Sequence, residues 1–356
     1  MNTKRMALSA AAAGTAAGVV GLVLVALPAG ASAAPPNLPA ISPEALVQSV
    51  LSAKVPAMSG SVSFDADLGL PIPGLPSGDK PIRVFTDGTG KAKLLLPTGP
   101  AEKSIVEDGK DVWIWNSQDQ TVTKIDGGAD KKFHGGMSEG MLADPQNAAA
   151  TLVSEMRKDS NVTVDGTGWV ADRSVYELVL TPKPTERTLL REVRVAVDSQ
   201  LRVPLQLEVF ANGQSDPAVK VGFTEFAPGA QDPKLFTFTP PPGAKVTERS
   251  GNDLPKPEEA KGLIDQLQLK VVGHGWDTVL VGKVPAGVLG ATPQNGGDKH
   301  GFDPMQLIKS MGTKVQGPFG SGVAIKASVG TILIAADGRV AIGAVPQQVL
   351  VEALGK

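Results

Sequence analysis

The chain has 356 residues, 42% of them apolar and only 4% aromatic, and it contains no cysteine. That apolar share suits a packed core rather than a disordered chain, and a formal charge of −2 gives no electrostatic ground for binding nucleic acid. Without cysteine, disulfides, thiol catalysis, thiolate zinc sites and lipid attachment through a cysteine are excluded.

At the start of the chain, Lys4 and Arg5 precede an apolar stretch from Met6 to Leu27. Pro28 and Gly30 then break the helix, and Ala31-Ser32-Ala33 supplies the small residues of a signal-peptidase site. Residues 1–33 therefore read as a signal peptide cut before Ala34, and the mature chain as exported, either in the cell envelope or secreted. An uncleaved membrane anchor is the alternative, because the apolar stretch approaches the ~20 residues that span a bilayer. Residues 34–41 read as a proline-rich linker.

Ser42-Pro43-Glu44 opens a helix: Ser caps, Pro takes the first helical position, and Glu lies in the first turn. Leu46, Val47, Val50 and Leu51 follow at helical spacing. After Met58 the period changes to two, with Val62, Phe64, Ala66 and Leu68 alternating with Ser61, Ser63, Asp65 and Asp67. Gly69 to Lys80 reads as a mobile loop. Strands are expected over Ile82–Phe85, Lys91–Leu96, Ser104–Glu107, Asp111–Trp115 and Thr121–Ile125, with Asp87-Gly88 and Asp108-Gly109 as hairpin turns. Asp144-Pro145 starts a second helix with Ala148, Leu152 and Met156 on one stripe. Four more alternating strands are centred on Leu178, Val195, Leu207 and Val221, and Phe236 and Phe238 flank Thr237 in a further extended stretch. The short connections imply neighbouring antiparallel pairing. One sheet face is apolar and needs a cover, for which the two helices are available.

Ser250 to Glu258 is polar and holds Pro255 and Pro257, so a boundary is expected there, dividing 42–249 from a small α+β unit over 250–356. In that unit, helices are expected from Pro257, from Asp303 and from Pro346, and strands over Trp276–Val281, Gly322–Ser328, Thr331–Ala336 and Val340–Val345. The stretch from Pro285 to Gly301 reads as a loop.

No catalytic pattern emerges. His134, His274 and His300 lack metal-ligand spacing and read as exposed loop residues. Asp87-Gly88-Thr89-Gly90-Lys91 lacks the spacing and the following Ser or Thr of a phosphate loop, and reads as a hairpin turn. No Gly-x-Ser-x-Gly elbow occurs. Asp65 and Asp67 read as solvating an outward strand face, and Asn161-Val162-Thr163 fits a short glycosylation pattern. The chain is therefore expected not to be an enzyme and to need no cofactor or metal.

In order along the chain, several stretches resemble the LolA/RseB-like family of lipoprotein carriers and envelope-stress regulators. They are Met58-Ser59-Gly60-Ser61-Val62, Val112-Trp113-Ile114-Trp115, Tyr176-Glu177-Leu178-Val179-Leu180-Thr181-Pro182, Val193-Arg194-Val195-Ala196-Val197-Asp198, Val203-Pro204-Leu205, and the run from Leu235 to Ala244. The likeness spans about Ser42 to Val246. It implies an α+β fold: a curved antiparallel sheet, an unclosed barrel, covered by helices, followed by a small C-terminal α+β domain as in RseB. It implies a lipid acyl chain or lipoprotein as partner, or alternatively a membrane-bound regulatory protein, with no nucleic acid. The expected cavity lining is Val62, Phe64, Trp113, Trp115, Leu178, Leu180, Val193, Val195, Leu205, Leu207, Val221 and Phe236. For the tryptophans and the inward aliphatic residues, core packing is the competing reading. A structural envelope module with a filled core is a third possibility.

Overall fold

Ser42 caps the first helix as its sequence requires. Its hydroxyl accepts a hydrogen bond from the Ala45 amide at 3.2 Å, ahead of α1 (Pro43–Ser52) with proline in its first turn. Leu46, Val47 and Leu51 form the buried stripe of this helix. The computed structural model describes residues 34–70, 80–98, 101–127, 145–250, 267–283 and 312–355. The leader, His134, His300, most of the Gly69–Lys80 loop, the polar boundary after Ser250, the Pro285–Gly301 loop and the helices expected from Pro257 and Asp303 lie outside the described residues.

Alternation becomes strand where it was expected: β1 (Met58–Ala66), β2 (Ile82–Thr86), β3 (Ala92–Thr98), β4 (Ala101–Glu107), β5 (Val112–Asn116) and β6 (Thr121–Asp126). The β2–β3 turn is closed by Asp87, whose Oδ1 accepts from the amides of Thr89, Gly90 and Lys91. This is hairpin chemistry rather than phosphate binding. Next come α2 (Pro145–Asp159), β7 (Ser160–Val170), β8 (Arg173–Pro182), β9 (Leu190–Asp198), β10 (Pro204–Ala211) and β11 (Val219–Pro228). The order in the sheet is β12-β6-β5-β4-β3-β2-β1-β11-β10-β9-β8-β7, where β12 spans Lys245–Ser250. Twelve strands in this order form an open sheet with β12 and β7 at its edges, the unclosed barrel expected from the sequence.

Phe236 and Phe238 do not extend the meander. Phe236 ends a short 3-10 turn, Pro233–Phe236, capped by the Asp232 carboxylate. The chain from β11 crosses the sheet and pairs β12 parallel to β6 at the far edge. Proline-rich sequence has few amides to offer a ladder, so this stretch acts as a strap rather than a strand.

Residues opposite each other in antiparallel pairs share a face. One face therefore carries the row Phe64, Val221, Leu207, Val195, Leu178 and Val164 across six strands. Over β7, β8 and β9 this face is covered by α1 and α2, whose Leu46, Val47, Leu51, Ala149 and Val153 bury Val162, Tyr176, Leu178 and Val197. The opposite face is not simply solvated. Ser61 and Ser63, expected to face outward, are buried there, and Ser61 donates to Glu225.

A second sheet has the order β13-β14-β18-β17-β16-β15, built from Lys270–Val272, Val279–Lys283, Arg339–Gly343, Thr331–Ala335, Gly320–Lys326 and Thr313–Gly317. The expected strand over Trp276–Val281 begins only at Val279, after a 3-10 turn at Gly275–Asp277. Helix α3 (Gln347–Leu354) follows Pro346 and buries Val349, Leu350, Val351, Ala353 and Leu354 against one face of this sheet.

Asp198 is fully buried in the β9–β10 turn. Its carboxylate accepts from the Arg173 Nε at 2.7 Å and from the amides of Gln200 and Leu201. Burial alone raises its pKa, but the Arg173 guanidinium and the two amides outweigh burial and hold it below the ordinary carboxylate value. The unfolded chain, with an Asp pKa of about 3.9, then binds more protons than the folded one. This stability is complete at neutral pH and is lost as pH falls through about 4 towards the folded value. Arg173→Ala leaves a buried charge without its partner and should cost about 3–5 kcal/mol at pH 7. Urea unfolding at pH 7 and pH 3 checks both the loss and its shrinkage on acidification.

Candidate functional site

Where α2 ends, its last residues meet the sheet and the second sheet around a cavity of about 380 Å³. Met156 and Asp159 come from α2, Ser160 and Leu180 from β7 and β8, Leu190 from β9, and Gly275, Trp276, Thr278 and Ala344 from the second-sheet region. Most of these walls are apolar, and the volume lies at the small end of the range for ligand pockets.

Local bonding holds the walls in place. The Trp276 indole Nε1 donates to the buried Ser160 hydroxyl at 2.8 Å, and the Trp276 amide donates to Glu186 Oε2 at 3.0 Å. Leu189 N and Thr188 Oγ1 both donate to the Ala344 carbonyl, at 2.8 and 2.7 Å. Arg187 bridges Asp277 and Glu352. Gly275 is needed twice over: its φ is +53°, and a Cβ built there falls 2.5 Å from the Asp159 side chain.

The twelve residues singled out from sequence divide between different surroundings. Leu180 lines the cavity. Leu178 is buried beneath the helices, with Val195 packed beside it. Val62, Phe64, Val193 and Val221 are half-buried on the same face as Leu178, and Leu207 is 39% exposed there, in the region beyond the helices. Leu205 sits at a β-bulge and is packed with Phe223 and Phe226. Trp113 and Trp115 lie on the opposite face, in rows with Val106 and Ser104. There Phe238 of the strap meets Trp113 at 5.6 Å between ring centroids. Phe236 is buried in the strap itself.

In β5 the residues that share the face of Val62 are Val112, Ile114 and Asn116. The row Val84, Leu94, Ile105 and Ile114 continues the apolar face across β2 to β5. Sequence reading passed over these four, because in Val-Trp-Ile-Trp both parities are apolar and the larger side chains drew the assignment. Met156 was read as a core position, and Leu190, Trp276 and Ala344 gave no signal, since each borders the cavity only through tertiary contact.

Beyond the cavity, the Arg202 guanidinium lies 5.2 Å from the Tyr176 ring centre, and its Nη1 is buried without a hydrogen-bond partner. Leaving such a donor unpaired costs the fold about 1–3 kcal/mol. Among the described residues, no three His, Asp or Glu side chains are placed to hold a metal. Among those residues, no helix is long and apolar enough to cross a membrane.

No family model matches the sequence, and no curated protein matches it. Solved structures do. The Pseudomonas aeruginosa MucA/MucB complex matches at 14% identity and TM-score 0.37, covering 87% of this chain and 94% of that one. A LolA superfamily protein from Nitrosomonas europaea matches at 13% identity and TM-score 0.22, covering 56% and 99%. A putative outer membrane lipoprotein-sorting protein domain from Vibrio parahaemolyticus matches at 9% identity and TM-score 0.21, covering 54% and 94%. These names fall in the group that the sequence resembles. TM-scores this low leave the function of this chain to its own geometry.

Trp276→Phe removes the indole donor and leaves the Ser160 hydroxyl without it, while keeping an aromatic wall. The expected cost is about 1 kcal/mol, read as a lowered urea midpoint with an unchanged slope.

Proposed function

We propose that this chain is an exported binding protein, not an enzyme, that takes up the acyl chain of a lipid or lipoprotein between its large sheet and the elements that cover it. The observation that carries this reading is the apolar cavity of about 380 Å³ walled by Met156, Leu180, Leu190, Trp276 and Ala344. The half-buried apolar face around Leu207 gives a second surface on which a longer chain could lie. Burial supplies the affinity: each methylene withdrawn from water contributes about 0.8 kcal/mol. A chain of roughly ten carbons thereby offsets association costs of about 4 kcal/mol or somewhat more. Cavity length, rather than any one hydrogen bond, would set the preferred chain.

Mass spectrometry of solvent extracts from the natively purified protein should show a bound lipid, and a neutral fluorescent acyl ester should be taken up. Ala344→Leu, which thrusts a bulkier side chain into the cavity, should weaken that uptake about tenfold or more, since it displaces several buried methylenes. An empty extract together with no uptake would sink the reading.

A second reading is favoured by a different feature. Val271, Leu280 and Ile342 are register partners on the second sheet, on the side away from α3, and are 70%, 38% and 44% exposed. A contiguous apolar row of this kind is a surface for a protein partner, in keeping with an envelope regulatory role exercised through protein contacts. Under that reading, Leu280→Asp abolishes partner binding and leaves acyl uptake intact.

A further inference from the structure

We propose that the cavity selects amphiphiles with a cationic ammonium head group, with Asp159 as the counter-charge and the Trp276 ring as the adjoining wall; this rests on the chain-binding reading above. Asp159 is the last residue of α2 and lines the cavity together with Trp276. Its side chain has no hydrogen bond or ion pair among the described residues. The cations around it are turned to other acceptors, Lys158 and Arg187 to carboxylates and Lys183 to a backbone carbonyl. Lys158 pairs with Glu155 at 2.6 Å, Lys183 Nζ donates to the Lys158 carbonyl at 2.8 Å, and Arg187 is held by Asp277 and Glu352. Of the other nearby acids, Glu186 accepts the Trp276 amide and Asp277 is paired with Arg187.

The cavity wall therefore carries one carboxylate to which no side chain among the described residues is bonded. It stands at a helix C-terminus, where the backbone adds partial negative charge. A carboxylate or phosphate head would meet like charge there. An ammonium would find an opposite charge and an aromatic wall, since Trp276 lines the cavity with its N–H committed to Ser160. Gly275 fits the same purpose, because only a residue without a Cβ lets the Asp159 carboxyl pack this closely against that backbone.

The test compares three ten-carbon amphiphiles below their micelle concentrations by isothermal titration of the full chain: decyltrimethylammonium, decanoate and a neutral decyl oligoethylene glycol ether. The expected order is ammonium over neutral over carboxylate, with the first and last separated about tenfold or more, as an unscreened charge pair in a partly buried site allows. Asp159→Asn should bring the three within about threefold of one another, with a urea unfolding curve showing that the variant is folded. If the neutral ether binds but decanoate equals the ammonium, or if Asp159→Asn leaves the order intact, the head-group proposal is overturned and the chain-binding reading stands. If the neutral ether itself does not bind, the chain-binding reading fails.

Discussion

An open sheet with one apolar face has to hide that face from water, and among the described residues the helical cover reaches only part of it. Two helices bury the face over β7, β8 and β9 through Leu46, Val47, Leu51, Ala149 and Val153. The row continues past them through Leu207, Val221 and Phe64, where side chains are only half-buried or exposed. The other side of the sheet is crossed near Trp113 by a different device, a proline-rich strap with buried Phe236 that carries the chain to the far edge. The strap thus covers part of one face, whose remainder carries the charged residues Asp65, Lys220, Glu208, Arg194 and Glu177, while the other face keeps apolar surface in reserve. Apolar area left in water is unfavourable, so a chain that retains it gains by covering it with something else.

The second sheet contributes more than a separate small core. Its Gly275–Asp277 turn and Ala344 supply one wall of the cavity, and polar links through Glu186, Arg187 and Thr188 hold that wall against the end of α2. These links are exposed ion pairs and single hydrogen bonds, each contributing on the order of 1 kcal/mol or less. The cavity is therefore bounded by a firmly packed floor and a lightly tethered wall. That combination suits a site that must admit a long flexible guest, because opening it breaks few strong contacts.

Much of this fold was legible in the sequence, for a physical reason: a half-buried antiparallel strand writes its period of two into the chain. The capped helix at Ser42, the Asp87 hairpin and the strands centred on Leu178, Val195, Leu207 and Val221 all emerged where the pattern placed them. Strand β7 did not, because Gly166, Gly168 and a bulge after Val164 interrupt its alternation. Strands β12 and β15 did not, because β12 is exposed along its whole length and only Val315 is buried in β15. Alternation also says that two faces exist without saying which is inward, and for Trp113 and Trp115 that ambiguity decided the outcome. The cavity itself was out of reach. Met156, Leu180, Leu190, Trp276 and Ala344 come from distant parts of the chain, and only the tertiary fold brings them together.

The absence of cysteine makes one measurement especially direct. Met156→Cys places a single thiol in the cavity wall, and its alkylation rate reports whether that wall is open or occupied. A saturating ten-carbon amphiphile should protect this thiol in proportion to its occupancy and leave the rate of a thiol at exposed Val271→Cys unchanged. A thiol at position 156 that reacts equally fast with and without bound ligand would place the guest elsewhere and contradict the account.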